Sequence, residues 1–216
     1  MEGENVKNRY NYVMTTPAAN AMFNVKYIIG KGRPLEDSGG LSLAGGKETT
    51  TLYENRYDLS LGYMVPSPVM DSWDLDQENP FCVLNDFVKL ASETDRDIFR
   101  SFAAPQIRGK GVVSGAYEQG KIRCSSAEQE QAGSVQLTFR SPKEQQVYVY
   151  VETAGAETIT AARQQGEPVQ LKEDCGAAVS LGRCKAGEKV TLDIEYEDGQ
   201  AGEITAWVYG LDEAAW

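Results

Sequence analysis

The chain has 216 residues, of which 41% are hydrophobic and 25% charged, and it carries a formal net charge of −11. That length can bury one large core or two modest ones, and no apolar run approaches the roughly 18 residues needed to span a bilayer. The acid excess excludes a phosphate-backbone binder, and nucleic acid is not an expected partner. With no histidine at all, the Ser-His-Asp triad, the Cys-His dyad and histidine-ligated zinc are removed together.

The first elements lie in "TTPAANAMFNVKYIIG". Thr16 is placed to cap a short helix with Pro17 at its first position, running to about Asn24. "VKYII" is β-branched and aromatic and predicts a buried strand. "GKGRPLEDSGGLSLAGGKE" is dense in Gly, Pro and Ser and predicts an exposed loop or irregular hairpin, after which "TTTLYEN" resumes a strand. Residues 49 to 69, "TTTLYENRYDLSLGYMVPSPV", then hold three tyrosines and two prolines without a helical or strand period.

A second helix is better marked. Asn79 is an N-cap with Pro80 behind it, and Asp74, Asp76 and Glu78 precede it, where the helix dipole favours negative charge. Phe81, Leu84, Val88 and Ala91 recur at helical spacing, with Phe87 beside them, and the helix should end near Ser92. "DRDIFRSF" predicts a further short turn. Cys82 falls inside the helix and reads as a small buried hydrophobe.

From about residue 111 onward the pattern is that of strands. Val135, Leu137 and Phe139 alternate with polar neighbours. Val147, Val149 and Val151 alternate with Tyr148 and Tyr150. Val190, Leu192, Ile194 and Tyr196 share one face. Asp198-Gly199 signals a hairpin, with "EITAWVYGL" as its return strand. The fold class expected is α+β: a small mixed α/β part over residues 1–104, followed by an antiparallel, jelly-roll-like β-sandwich over residues 105–216.

Motifs that carry chemistry are few. Asp74-Leu75-Asp76 matches a metal-holding D-x-D triplet of nucleotide-sugar transferases, but such triplets recur by chance in acidic chains, and an acidic lead-in to the helix accounts for it. The same stretch fails as an EF-hand, because Asn79 takes the glycine position and Asn85 that of the last glutamate. No carboxylate pair suggests a glycosidase, and no phosphate-cradling glycine loop is present. No metal or cofactor is expected. The four cysteines form no C-x-x-C pair; Cys175 and Cys184 are near enough in sequence to bridge across a hairpin, and the sequence leaves that open. Tyr148 with Tyr150, and Trp207 with Tyr209, form aromatic rows that suit either a sugar platform or core packing.

The ordered run "TTPAANAMFNVKYII", "LYENRYDLSLGYMV" and "SWDLDQENPFCVLNDFVKLAS" resembles the extracytoplasmic region of the YfhO family of bacterial membrane proteins. The matching positions are Asn24 to Ile29, Tyr53-Glu54-Asn55, Leu59-Ser60-Leu61-Gly62-Tyr63, Asn79-Pro80-Phe81, Asn85 and "SLGRCKAGEKVTL". Ser60 stands where the family usually has proline, and Cys82 where glutamate is expected. The resemblance implies an excised ectodomain of a polytopic, GT-C-like glycosyltransferase that decorates lipoteichoic acid. It also implies catalytic carboxylates in loops between transmembrane helices, which this sequence lacks, so the fragment alone is expected to be inactive. The transmembrane portion of the parent is then an expected partner, with a cell-envelope glycan or lipid-linked sugar as ligand. The ligand contacts expected are Tyr57, Tyr63, Trp73 and Trp207. An independent carbohydrate-binding module and a ligand-free spacer are the alternatives.

Overall fold

The computed structural model describes residues 16–31, 40–60, 62–127, 132–171, 176–197 and 199–215. Helix α1 (Pro17–Met22) begins as its sequence dictates. The Thr16 hydroxyl accepts the Ala19 N–H at 3.3 Å, and Pro17 fills a position whose N–H has no partner to lose. It stops at Met22, two residues short of the expected end, where Asn24 adopts a positive φ of 52°.

Strands β1 (Tyr27–Lys31), β2 (Leu41–Lys47) and β3 (Thr50–Asn55) form a three-stranded antiparallel sheet in the order β1-β3-β2. One expectation is corrected here. The "VKYII" strand is not buried: Tyr27 and Ile29 are exposed, because β1 is an edge strand with one face left open. The second half of the Gly-rich stretch forms the irregular hairpin that was one of its two expected forms, with the bulged strand β2 paired to β3, while residues 32–39 lie outside the described residues. A short helix, α2 (Pro68–Ser72), follows and was not anticipated; it lies against the next helix.

Helix α3 (Pro80–Ser92) matches its sequence signals throughout. The Asn79 side-chain oxygen accepts the Phe81 N–H at 3.0 Å, and Glu93 closes the other end in the left-handed region. Cys82 is only half-buried, its sulfur 3.9 Å from the Tyr209 hydroxyl.

Instead of the expected turn, residues 99–101 form β4 (Phe99–Ser101), held by a buried asparagine. The Asn85 side chain donates to the Phe99 carbonyl and accepts its N–H, both at 2.8 Å, replacing one ladder bond pair. Asn85→Ala should leave two buried backbone groups unpaired and cost about 2–3 kcal/mol in urea unfolding, with accelerated amide exchange at Phe99.

The remaining strands are β5 (Gln106–Lys110), β6 (Val112–Ser114), β7 (Lys121–Ser126), β8 (Gly133–Arg140), β9 (Gln145–Thr153), β10 (Ala156–Arg163), β11 (Val169–Leu171), β12 (Val179–Cys184), β13 (Lys189–Tyr196) and β14 (Glu203–Leu211). They make two antiparallel sheets, β11-β10-β13-β8-β5 and β12-β9-β14-β7-β6, with β4 paired to the end of β14. The architecture is therefore predominantly antiparallel β-sheet. The expected Asp198-Gly199 hairpin is corrected: β13 pairs with β8 and β10 in one sheet, while β14 pairs with β9, β7 and β4 in the other. The chain crosses between sheets at that point. Cys175 lies outside the described residues, and with it the Cys175–Cys184 pairing.

Alternation explains the core. Val135, Leu137 and Phe139 with Val190, Leu192 and Ile194 face Val147, Val149, Val151, Ile204, Ala206 and Val208 from the opposite sheet, and all are buried. The outer faces of β9 and β14 are buried as well. Tyr148, Tyr150, Trp207, Tyr209 and Leu211 pack with Phe81, Leu84 and Val88 of α3 and with Ala18 and Ala19 of α1. The helices thus form a third layer, and the aromatic rows are the bed on which α3 lies.

Candidate functional site

The four residues singled out from the sequence fall in three settings. Tyr57 and Tyr63 come together in a cleft of about 530 Å³ between α1, residues 57–59 and 63–65, α3 and the final turn, where Ala215 closes one side. Tyr57 is positioned from β3. The buried Asn55 side chain donates to the Val25 carbonyl at 2.8 Å and accepts the Tyr57 N–H at 3.1 Å, so it pins the start of the aromatic segment to the chain after α1. Gly40 lies close against the Tyr57 ring, where a larger residue would collide with it. Tyr63 reaches across the cleft, its hydroxyl donating to the Met22 carbonyl at the end of α1 at 3.1 Å. Partial burial raises its phenol above the ordinary value, so Tyr63 stays a neutral hydrogen-bond donor at physiological pH.

Trp73 stands behind the cleft wall. Its indole N–H donates to the Val83 carbonyl at 2.9 Å, and its ring centroid lies 4.9 Å from Phe87, which lines the cleft. Trp207 is elsewhere. It is 7% exposed, its ring centroid lies 5.1 Å from that of Tyr150 in a tilted pair, and its indole N–H donates to the Gln119 carbonyl at 3.2 Å. Its edge borders an open polar groove lined by Glu78, Lys121, Glu152 and Glu203. Lys121 sits there 2.7 Å from Glu78 and 3.9 Å from Glu203, in exposed ion pairs.

Sequence reasoning overlooked several cleft residues. Met64, at 99% exposure, is the most water-exposed large apolar side chain on the cleft rim, and Leu59 is also exposed. The step "GYMV" carried the signal, since a methionine between two apolar residues in an unpatterned segment has no core position to fill. Ala215 and Ala21 gave no signal at all, because small residues reach the cleft only through tertiary packing.

The chemistry available is that of binding. The cleft offers two phenols, two thioethers and aliphatic walls, with Asp58 as a carboxylate lining it, 3.9 Å from the Lys26 ammonium. Among the described residues no group of three His, Cys, Asp or Glu side chains could hold a metal ion. Asp74 is occupied locally, accepting the Asp76 N–H at 3.0 Å.

The turn that carries Ala215 is fixed by charge. Burial alone would raise the Asp212 carboxyl, but the hydrogen bond and charge of Lys143, 3.2 Å away, and the charge of Arg100, 3.1 Å away, hold it below its ordinary value. A depressed folded-state pKa stabilises the fold above the unfolded value and loses that effect as pH falls through the folded one. Asp212→Asn should therefore cost up to about 1 kcal/mol near neutral pH, since both cations are partly solvated. The difference from the parent should vanish on acidification below the ordinary carboxylate value of 3.8, as followed by urea midpoints across pH.

Comparison with known proteins adds the following. The family described as "Bacterial membrane protein YfhO" matches residues 1–215. No curated protein matches the chain. Several solved structures are similar to about half of the chain. A family two carbohydrate esterase from Cellvibrio japonicus is 12% identical, with 52% of this chain and 32% of that chain covered and a TM-score of 0.31. The C-terminal CBM6 of a laminarinase from Zobellia galactanivorans is 11% identical, with 53% and 99% covered and a TM-score of 0.31. A family 29 carbohydrate-binding module from Piromyces equi is 7% identical, with 52% and 89% covered and a TM-score of 0.30. Likenesses this distant carry no argument about what the chain binds. The family match does carry one: the chain belongs to the YfhO family of bacterial membrane proteins. No helix among the described residues is long and apolar enough to cross a membrane.

Proposed function

We propose that this YfhO-family chain is a non-catalytic extracytoplasmic domain of a membrane glycosyltransferase, and that its cleft positions a lipid-linked sugar or a cell-envelope acceptor of the lipoteichoic acid type. In this reading the transmembrane portion of the parent supplies the catalytic carboxylates. The present chain is then a small mixed α/β part, residues 1–104, set on a jelly-roll-like sandwich, residues 105–216. The observation that carries the reading is the cleft itself. Tyr57 and Tyr63 stand over aliphatic walls in a chain whose family is one of membrane proteins. An isoprenoid or acyl chain needs apolar walls, and a sugar stacks its C–H face on aromatic rings. Trp73 supports the site through Phe87, and Trp207 lies outside it.

The alternative, a carbohydrate-binding module acting through the sandwich alone, finds its support in the polar groove beside Trp207, where Glu78, Lys121 and Glu203 could hydrogen-bond a polyol. It loses the aromatic rows, which are covered by α3. A ligand-free spacer needs neither feature.

In the intact membrane protein, Tyr57→Ala and Tyr63→Ala together should reduce sugar transferred to the envelope polymer, with the protein's level in the membrane unchanged. Transfer at the parent rate from the double variant would sink the reading. Loss of transfer on Lys121→Ala instead would move recognition to the polar groove.

A further inference from the structure

The cleft side of the molecule combines three features that separately would mean little. The first is its exposed apolar content: Met64 at 99%, Phe23 at 62% and Leu59 at 40% exposure stand on or directly beside the cleft lining, with Tyr57 and Tyr63 between them. A cluster of this kind on one side of a water-facing domain marks an interaction surface. The second is the composition of the rim. Half-exposed tyrosine rings flanking a bare thioether match the polarity gradient at the edge of a bilayer, where aromatic rings sit at headgroup level and aliphatic groups go deeper. The third is what surrounds them: α1 and the turn that carries Ala215 bring further aliphatic side chains, Ala18, Ala21 and Met22 among them, to the same lining.

We infer that this face rests on a lipid bilayer, with Met64 inserted below the headgroups and Tyr57 and Tyr63 at their level. The membrane family to which the chain belongs supplies the surface. The inference rests on the reading above that the cleft is the working face, and it adds how a lipid-linked ligand reaches it: sideways from the membrane, with no passage through water. The driving force is apolar. The chain's net charge of −11 opposes anionic headgroups, and the cleft's charged neighbours, Asp58 and Lys26, face each other. Docking is accordingly insensitive to salt and does not need anionic lipid.

The test uses glycan-free phosphatidylcholine vesicles carrying a small fraction of nickel-chelating lipid and brominated acyl chains. The full chain is held on them by a C-terminal hexahistidine tag, which supplies the only histidines in the protein. Tryptophan emission of Met64→Trp, less that of the parent chain, is compared with Val113→Trp, an exposed position on β6 that lines no part of the cleft. The expected result is a blue shift and bromine quenching at position 64 that exceeds quenching at position 113 by on the order of twofold or more. It should persist in high salt. No quenching at position 64 on the tethered chain overturns the inference, as does equal quenching at both positions. Because the vesicles hold no glycan, quenching reads docking alone, while the proposed function is read by sugar transfer in the Tyr57→Ala and Tyr63→Ala double variant of the intact protein. Quenching with transfer unchanged in that variant supports docking and sinks the proposed function, and reduced transfer without quenching does the reverse.

Discussion

Phe81→Ala is expected to cost about 3–5 kcal/mol of stability and to lower the melting temperature by roughly 10 °C. Phe81 is fully buried, with its ring centroid 4.5 Å from Tyr209 in a stacked pair and 5.3 Å from Phe99. It packs on both Tyr209 of β14 and Phe99 of β4, so its loss removes dispersion contacts on two sides and leaves a cavity. The helix has a second tie at the same end, since the Asn79 amide donates to the Tyr209 hydroxyl at 2.9 Å. That bond keeps α3 in place while the packing fails, so a folded but weakened protein is expected, not loss of the layer. Urea unfolding is the measurement. A change below about 1 kcal/mol would mean that α3 is not the cover that buries the aromatic bed.

Gly120→Ala should be nearly as damaging, at about 3 kcal/mol, and for a different reason. Gly120 has φ of +89°, a conformation that costs a residue with a Cβ about 1–2 kcal/mol. A methyl there would also collide with the pyrrole edge of the Trp207 indole, which is held on its other side by Tyr150 and cannot rotate away. Overpacking of that kind adds about 1–3 kcal/mol. Trp207 should report the strain directly: its emission should move to the red as the indole leaves its packed position and its bond to the Gln119 carbonyl. Unchanged stability and emission would show that the turn before β7 relaxes freely.

The parts of this fold that could be read from sequence are those determined by neighbours along the chain. Thr16 with Pro17, and Asn79 with Pro80, announced two helices because a cap and its first turn lie within four residues. The two-residue alternation of β8, β9 and β13 placed their inward residues correctly, since a strand's faces follow from its own pleat. What could not be read depends on which elements meet. "VKYII" looks buried from its composition, and only the lack of a covering layer on one face of β1 leaves Ile29 in water. Residues 99–101 are a strand because Asn85, fourteen positions earlier, and β14, more than a hundred later, hold them. The Asp198-Gly199 turn signal is local, whereas the sheet that β14 joins is not.

The candidate site divides the same way. Tyr57 and Tyr63 were visible as aromatic residues with no regular structure to fill. The cleft that unites them with Met22, Phe87 and Ala215 is assembled from four separate stretches of chain. The aromatic rows of β9 and β14 were legible as rows, but whether they faced a ligand or a helix depended on where α3 lay. Tyr148 illustrates the outcome, being wholly buried with its ring edge-on to Phe99.

We propose the Tyr57–Tyr63 cleft as the place where this domain meets its ligand. The most direct measurement is a calorimetric titration of the chain with a polyprenyl-phosphate-linked sugar and with purified lipoteichoic acid, each with and without calcium or magnesium, since divalent ions would offset the repulsion between two anionic partners. Saturable binding of at least one of them is expected, weakened about tenfold by Tyr63→Ala, the equivalent of about 1.4 kcal/mol, and unaffected by Val113→Ala. Binding indifferent to Tyr57 and Tyr63, or no binding under any of these conditions, would contradict it.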